Sequence, residues 1–300
     1  MQLDRLREEF IFDCRVRELS PRTVRNYEKQ TAYFLRFLIS KGITKVEDVT
    51  TLHIKSYINA QQERGCKPSY INDLLKAVKC LFAYAYNEGY ISTKVTKNVH
   101  NVKEPRVLIH TFSEREIKDM VEYYRGSNYL DIRNKLILML LFDTGIRISE
   151  LMNLKPEQIR DSYILIYGKG RKERIVPKSP IISKWLIKYF VARDKQFFCR
   201  EAEDYVFLSK NGRKLTEEAI CKFMKQAAIA VGVNPNVRVS PHTCRHTFAH
   251  QQLKNGLDLY SLSRLLGHES ISITQVYLES IRDAEVLNAA KKTGVLANIR

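Results

Sequence analysis

Ser240-Pro-His-Thr-Cys-Arg-His246, followed by Leu266-Gly-His268 and then Tyr277, is the stretch on which the reading of this chain turns. Serine ahead of proline is a helix start, the hydroxyl capping free amides and the proline fitting the first helical position. His242 then falls in the first turn, and Arg245, three residues on, lies over the same face. Gly267 reads as a helix stop in the left-handed conformation. His268 follows at once, and Tyr277 closes a segment, 271–277, that is open to a helical reading. Two imidazoles, a guanidinium and a phenol are thus within reach of one site, and the combination suits cleavage of a phosphodiester with tyrosine as nucleophile.

Charge points the same way. The 300 residues carry a formal charge of +17. Residues 1–110 hold 19 Lys+Arg against 12 Asp+Glu, a surplus of +7, which leaves +10 for the remainder. Both halves are basic, so a polyanion touching both is the natural partner. At 44% hydrophobic residues the chain has enough apolar side chains for proper cores, which argues against disorder, and its length suits about two domains. Cys14, Cys66, Cys80, Cys199, Cys221 and Cys244 form no Cys-x-x-Cys pair, as expected of free thiols in a reducing cytoplasm. Met1-Gln-Leu-Asp-Arg5 is unlike a secretory leader, and the longest apolar run, Leu136–Phe142, is too short to span a bilayer. The expected location is cytoplasmic, with the nucleoid when bound to DNA.

Along the chain, residues 1–103 read as all helical, with helices near 3–19, 20–40, 51–63 and 69–87. In the second, Val24, Tyr27, Thr31, Phe34, Leu35 and Leu38 gather on one side at 100° per residue, with Arg22, Arg25, Lys29 and Arg36 opposite. The fourth repeats the design, with Ile71, Leu74, Leu75, Val78, Leu81, Phe82 and Ala85 inward and Asn72, Lys76 and Lys79 outward. Two basic helix faces in one bundle make a phosphate-tracking surface. Residues 104–111, with Pro105, read as a linker. Ser113-Glu-Arg-Glu116 is a capping box that opens a second domain over 112–300. That domain reads as mixed α+β. Residues 163–167 and 174–176 form a small antiparallel hairpin with the basic tip Gly168-Lys169-Gly170-Arg171, helices follow at 180–192 and 216–231, and a short strand is expected at Val206–Leu208. A tail, 282–300, reads as largely helical.

Cleaving a nucleic-acid backbone requires that the phosphate be clamped and its developing charge neutralised, for which planar guanidinium forks are suited. Arg147, just past the tight turn of Asp143-Thr-Gly-Ile-Arg147, and Arg245 are the candidate clamp. Tyr277 is the candidate nucleophile and Lys169 the acid for the leaving oxygen. His242 and His268 remain for proton transfer and phosphate hydrogen bonding. Glu150 is expected to pair with an arginine rather than react. His242, His246 and His250 have helical spacing, but Thr243 stands where a zincin helix has glutamate and no paired thiolates help, so neither a metal nor another cofactor is expected.

Thr144-Gly-Ile-Arg147-Ile-Ser-Glu150-Leu, Lys169, His242-x-x-Arg245-His246, Leu265-Leu-Gly-His268 and Tyr277 stand in the order and spacing of the tyrosine recombinases, the phage integrase family, which the chain resembles over nearly its whole length. The compact length is similar to Xer-like and transposon-type members. The resemblance implies a SAM-like helical core-binding domain at the N-terminus, with Ser20-Pro-Arg-Thr23, Tyr27 and Phe34 carrying the likeness. It implies a pocket of Arg147, Lys169, His242, Arg245 and His268, and a covalent 3′-phosphotyrosine at Tyr277. It also implies a tetramer on two double-stranded DNA sites, with the tail docked into a neighbouring protomer and an accessory protein or second recombinase as a further partner. Integration, excision, resolution and inversion would all use this core. Cys244 departs from the family's usual leucine before the second arginine and is expected to alter packing, not chemistry. A type IB topoisomerase-like relaxing enzyme, a catalytically silent DNA-binding regulator and a metal-dependent nuclease are the competing readings.

Overall fold

Ser20 does start a helix. Its hydroxyl accepts the Thr23 amide at 3.2 Å, Pro21 takes the first position, and α2 runs Pro21–Ser40. The computed structural model describes residues 1–105, 110–168, 173–268 and 270–275. It divides into two units, Met1–Val107 and Leu108–Arg300.

The first unit is helical. Around α2 stand α1 (Leu3–Val16), α3 (Thr51–Glu63) and α4 (Pro68–Asn87). The apolar stripes expected of α2 and α4 form the core, where Phe34 meets Tyr57 and Phe82 edge-on with ring centroids 5.0 and 6.0 Å apart. Such edge-to-face pairs add to what burial alone contributes. Arg22, Arg25, Lys29, Arg36 and Lys76 are exposed. Two of them lean on one ring, with Arg36 4.9 Å and Lys29 5.8 Å from the centroid of Tyr33. Asn72 and Lys79 serve a different end. Asn72 donates to the Val102 carbonyl at 2.9 Å and accepts the Val102 amide at 2.8 Å, while Lys79 donates to Asn101 at 3.2 Å. They hold the segment leaving the bundle against α4.

In the second unit Ser113 and Glu116 cap α5 (Glu114–Tyr123) reciprocally. The centre is α6 (Tyr129–Thr144), buried on nearly every side by residues that include Leu136, Ile137, Leu138, Leu140 and Leu141. The run from 136 to 142 is apolar all round, as suits a helix inside a domain, and α8 (Pro180–Gln196) and α10 (Pro241–Lys254) pack on α6. Between α6 and α8 come the short α7 (Ile148–Met152) and two strands. β1 (Tyr163–Tyr167) and β2 (Glu173–Pro177) pair antiparallel in the register Tyr163↔Pro177 to Tyr167↔Glu173. Then α9 (Glu217–Val231) precedes α10, and α11 (Leu259–Leu266) and α12 (Ile271–Gln275) follow it. Fold class is as read from the sequence: mainly helical, with a small antiparallel sheet in the second unit.

One expected strand is absent. Val206, Phe207 and Leu208 are at most 1% exposed, but Leu208 makes only an isolated bridge to Lys214. The Val206 amide donates to the Leu154 carbonyl at 2.7 Å, and side chains rather than a ladder satisfy the carbonyls. The Val206 carbonyl accepts from the Tyr189 hydroxyl at 2.6 Å, and that of Leu208 from Tyr129 at 2.9 Å and Arg133 at 2.8 Å. Buried main-chain polar groups must be paired, but not by a sheet. The expected helix in the tail lies outside the described residues.

Candidate active site

The C-terminal end of α11 organises the site. Gly267 sits at φ +64°, its amide bonding the Arg264 carbonyl and the His268 amide that of Ser263, both at 3.0 Å. This Schellman ending leaves the next three carbonyls without helical donors. Each takes a guanidinium. Arg174 Nε donates to Leu265, Arg245 Nη2 to Leu266 and Arg147 Nη2 to Gly267, at 3.0, 2.7 and 3.0 Å. Cations are favoured at the negative end of a helix dipole, so the helix terminus itself draws three positive charges together.

Arg147 is placed by α6. Gly145 ends that helix at φ +59° and turns the chain into α7, of which Arg147 is the N-cap residue. A Cβ at Gly145 would lie 2.4 Å from Phe248 Cδ1, so close approach as well as handedness requires glycine there. The Gly145 carbonyl accepts from Arg245 Nη1 at 2.7 Å. Arg245 itself is 4% exposed, while the Arg147 side chain is 38% exposed and lines an open cleft with Tyr167, Arg174, Tyr260, Arg264 and His268.

Glu150 lies between two of the arginines. Arg174 engages it with a bidentate fork, both bonds 2.7 Å, and Arg147 donates its side chain at 3.0 Å and its amide at 2.9 Å. Burial raises the Glu150 carboxyl pKa, but the Arg174 and Arg147 bonds and charges outweigh it and hold the value below the ordinary 4.5. Among the described side chains of this cluster three cations therefore meet one anion.

His268 closes the cluster. Its Nε2 lies 2.9 Å from Arg245 Nη2, and because a guanidinium only donates, Nε2 accepts and Nδ1 carries the hydrogen toward Thr274 Oγ1 at 2.8 Å. Burial, then the charges of Arg245, Arg147 and Arg174, push its pKa down to about 4. At the start of α10 Ser240 accepts the Thr243 amide at 3.2 Å, which fixes the turn bearing His242. His242 is exposed at its edge and meets His246 Nε2 to Nε2 at 3.0 Å. Desolvation and the charges of Arg245 and Arg238 lower the His242 pKa, while burial, His242 and Arg245 drive that of His246 to about 4. Cys244 is fully buried in the core beneath them.

The two histidines at about 4 make stability depend on pH. A ring whose folded pKa lies below the ordinary 6.5 binds its proton less readily in the fold. Its contribution is whole above about 6.5 and is lost as pH falls toward 4. The urea midpoint of this unit is expected to drop across that window, and His246→Gln to drop less steeply. An equal slope in the variant would exclude His246 as a source.

The structure brings Arg147, Glu150, Arg245 and His268 into one cluster, with His242 and His246 beside Arg245 on α10. Lys169 and Tyr277 lie outside the described residues. Sequence reasoning missed Arg174, which it left as a strand residue. The available signal was period: on β2 Arg174 shares the inward side with buried Val176, while Ile175 between them is 58% exposed.

The sequence matches the phage integrase family over residues 110–283 and that family's N-terminal SAM-like domain over 6–91. It is 30% identical over 275 residues to the tyrosine recombinase XerD of Oceanobacillus iheyensis, covering 90% of this chain and 92% of that protein. It is also 30% identical over 263 residues to the tyrosine recombinase XerC of Thermodesulfovibrio yellowstonii, covering 86% and 85%. The fold is similar to the XerH site-specific recombinase in its post-cleavage complex with difH, at a TM-score of 0.76 and 19% identity over 91% of this chain and 80% of that one. The chain belongs to the phage integrase family and is a tyrosine site-specific recombinase. Among the described residues no helix is long and apolar enough to cross a membrane.

Proposed function

We propose that the cleft at the end of α11 holds the scissile phosphate of double-stranded DNA and that Tyr277 attacks it. Arg147 faces the phosphate, Arg245 supplies charge from beneath, and His268 and His242 orient its oxygens. Tyr277 passes its phenol proton to His242 as its oxygen bonds phosphorus and the bond to the 5′ oxygen breaks, and Lys169 protonates that leaving oxygen. The resulting 3′-phosphotyrosine keeps the phosphodiester's energy, so the partner strand's 5′-hydroxyl reseals it with neither ATP nor a metal. Residues 112–300 act as the catalytic domain, and residues 1–103, joined by 104–111, track neighbouring phosphates through Arg22, Arg25, Lys29, Arg36 and Lys76. Four protomers exchange strands on two sites, with the tail 282–300 linking neighbours.

The observation that carries this reading is the set of three guanidiniums fixed on successive carbonyls beside an open cleft, with Glu150 the one carboxylate bonded to them among the described residues. A singly charged phosphodiester suits that set, and the surplus charge on both units suits a long polyanion. The test traps the intermediate. Wild type and Tyr277→Phe are incubated in EDTA with nicked duplex bearing the flanks of the protein's own gene, then denatured. A protein–DNA adduct from wild type alone is expected. An adduct from both would move the nucleophile to another tyrosine, and one that appears only when metal is supplied would defeat the mechanism.

A further inference from the structure

Arg174 does more than fill the base of a hairpin. Its side chain is 9% exposed, and its three nitrogens reach two different elements. Nε holds the Leu265 carbonyl at the end of α11, while Nη1 and Nη2 take one Glu150 oxygen each on α7, both at 2.7 Å. Its stem also fills the space beside Gly267, where an added Cβ would lie 2.9 Å from Arg174 Cδ. The hairpin, α7 and α11 are therefore fastened at one guanidinium.

The charge arrangement gives that fastening a consequence for Arg147. Glu150 is buried and ionised, and a buried carboxylate must be neutralised by something close. Arg174 meets both of its oxygens in the short bidentate geometry, while Arg147 shares one of them at a longer 3.0 Å and spends its other terminal nitrogen on Gly267. With Arg174 in place, the carboxylate is answered and Arg147 keeps charge and donors for the cleft. Without Arg174, the same carboxylate would claim Arg147 as its sole close cation among the described residues, and the excess positive charge of that described cluster would fall from two to one.

We propose that Arg174 is a positioning residue that neutralises Glu150 and pins the end of α11, so that Arg147 remains available to an anion in the cleft. This rests on the reading of the cleft as a phosphate site, and it extends that reading to a residue that need not touch the reacting atoms. The proposal makes an unusual demand: the harm done by losing Arg174 comes largely from a carboxylate left behind, so removing that negative charge should undo part of it. A residue needed only for packing would show no such relief, because a second substitution in the same cluster would add damage.

The experiment compares full-length wild type, Arg174→Met, Arg174→Lys and the double variant Arg174→Met with Glu150→Gln, in two assays. In the first, inorganic phosphate is titrated into each protein and followed through the His268 ring resonances. In the second, the single-turnover rate of adduct formation and the affinity for DNA are measured on the nicked duplex. Arg174→Met is expected to weaken phosphate binding and to slow adduct formation by on the order of 100-fold, the scale on which a misplaced catalytic group acts. Its affinity for the duplex, set by many phosphates, should change less than threefold or so. The double variant should recover about tenfold of the lost rate, as pairwise coupling within one network allows. Arg174→Lys, which keeps the charge but not the fork, should lie between wild type and Arg174→Met, and it serves as the folded comparison if the methionine variant melts early. A double variant no faster than Arg174→Met, or a lysine variant equal to wild type, would overturn the proposal. So would a loss of DNA affinity as large as the loss of rate, which would make Arg174 a direct DNA contact. Phosphate binding that follows the expected order in proteins that form no adduct would retain the role of Arg174 and remove the cleavage reading instead.

Discussion

Arg245→Ala is expected to abolish adduct formation and to destabilise the second unit by at least about 3 kcal/mol. Arg245 is buried, and its guanidinium spans the Gly145 and Leu266 carbonyls, each at 2.7 Å. Truncation leaves both acceptors without this donor, at a cost of about 1–3 kcal/mol each, and opens a cavity under His268. Arg245→Lys separates charge from shape. One ammonium cannot reach both carbonyls as a planar fork does, so this variant should retain most of the DNA affinity and lose on the order of 100- to 1000-fold in cleavage rate. Urea unfolding and single-turnover trapping measure the two effects. Cleavage by the lysine variant within tenfold of wild type would mean that charge alone is required.

Gly145→Ala should destabilise the second unit by about 2–5 kcal/mol. The left-handed backbone costs a non-glycine residue about 1–2 kcal/mol, and the new Cβ would sit 2.4 Å from Phe248 Cδ1 and 3.0 Å from Leu266 Cδ2. Overpacking of that kind costs about 1–3 kcal/mol more. Phe248 shares α10 with Arg245, and the Gly145 carbonyl holds that same arginine, so the strain falls on the site as well. Gly232→Ala provides the comparison. Gly232 also ends a helix with positive φ, at +70°, but nothing lies within 4 Å of its would-be Cβ. The difference between the two urea midpoints isolates the clash with Phe248, and equal losses would refute it.

The local grammar of the chain was readable because helix ends announce themselves. Ser20, Ser113 and Ser240 cap where their sequences placed them, and Gly267 stops α11 in the left-handed conformation. Val206–Leu208 misled because an apolar run signals burial, not a ladder, and the donors that satisfy it belong to Tyr189, Tyr129 and Arg133 far along the chain. Asn72 looked like a solvent-facing residue because periodicity assigns a face without saying what covers it. At the site, Arg147, Glu150 and His268 stood out through their spacing from the glycine turns, and Arg245 through its place behind the Ser240-Pro241 helix start. Arg174 did not, since an arginine in a short strand ordinarily faces water. The acceptors that unite the cluster are main-chain carbonyls, which no residue letter encodes.

That last point bears on how the enzyme tolerates change over generations. A substitution at Leu265 or Leu266 that preserves α11 leaves the carbonyl oxygen in place, because every residue type supplies the same acceptor. The acceptors of the arginine scaffold thus do not depend on side-chain identity, only on the helix end staying in place. Vulnerability concentrates in the three arginine codons and in the glycine that ends the helix. Residue 265 is then freer to drift among helix-compatible types than Leu266, whose side chain is buried against Phe248 and Leu262, and a library randomised at 265 should yield many active clones, whereas one randomised at 147, 174, 245 or 267 should yield few.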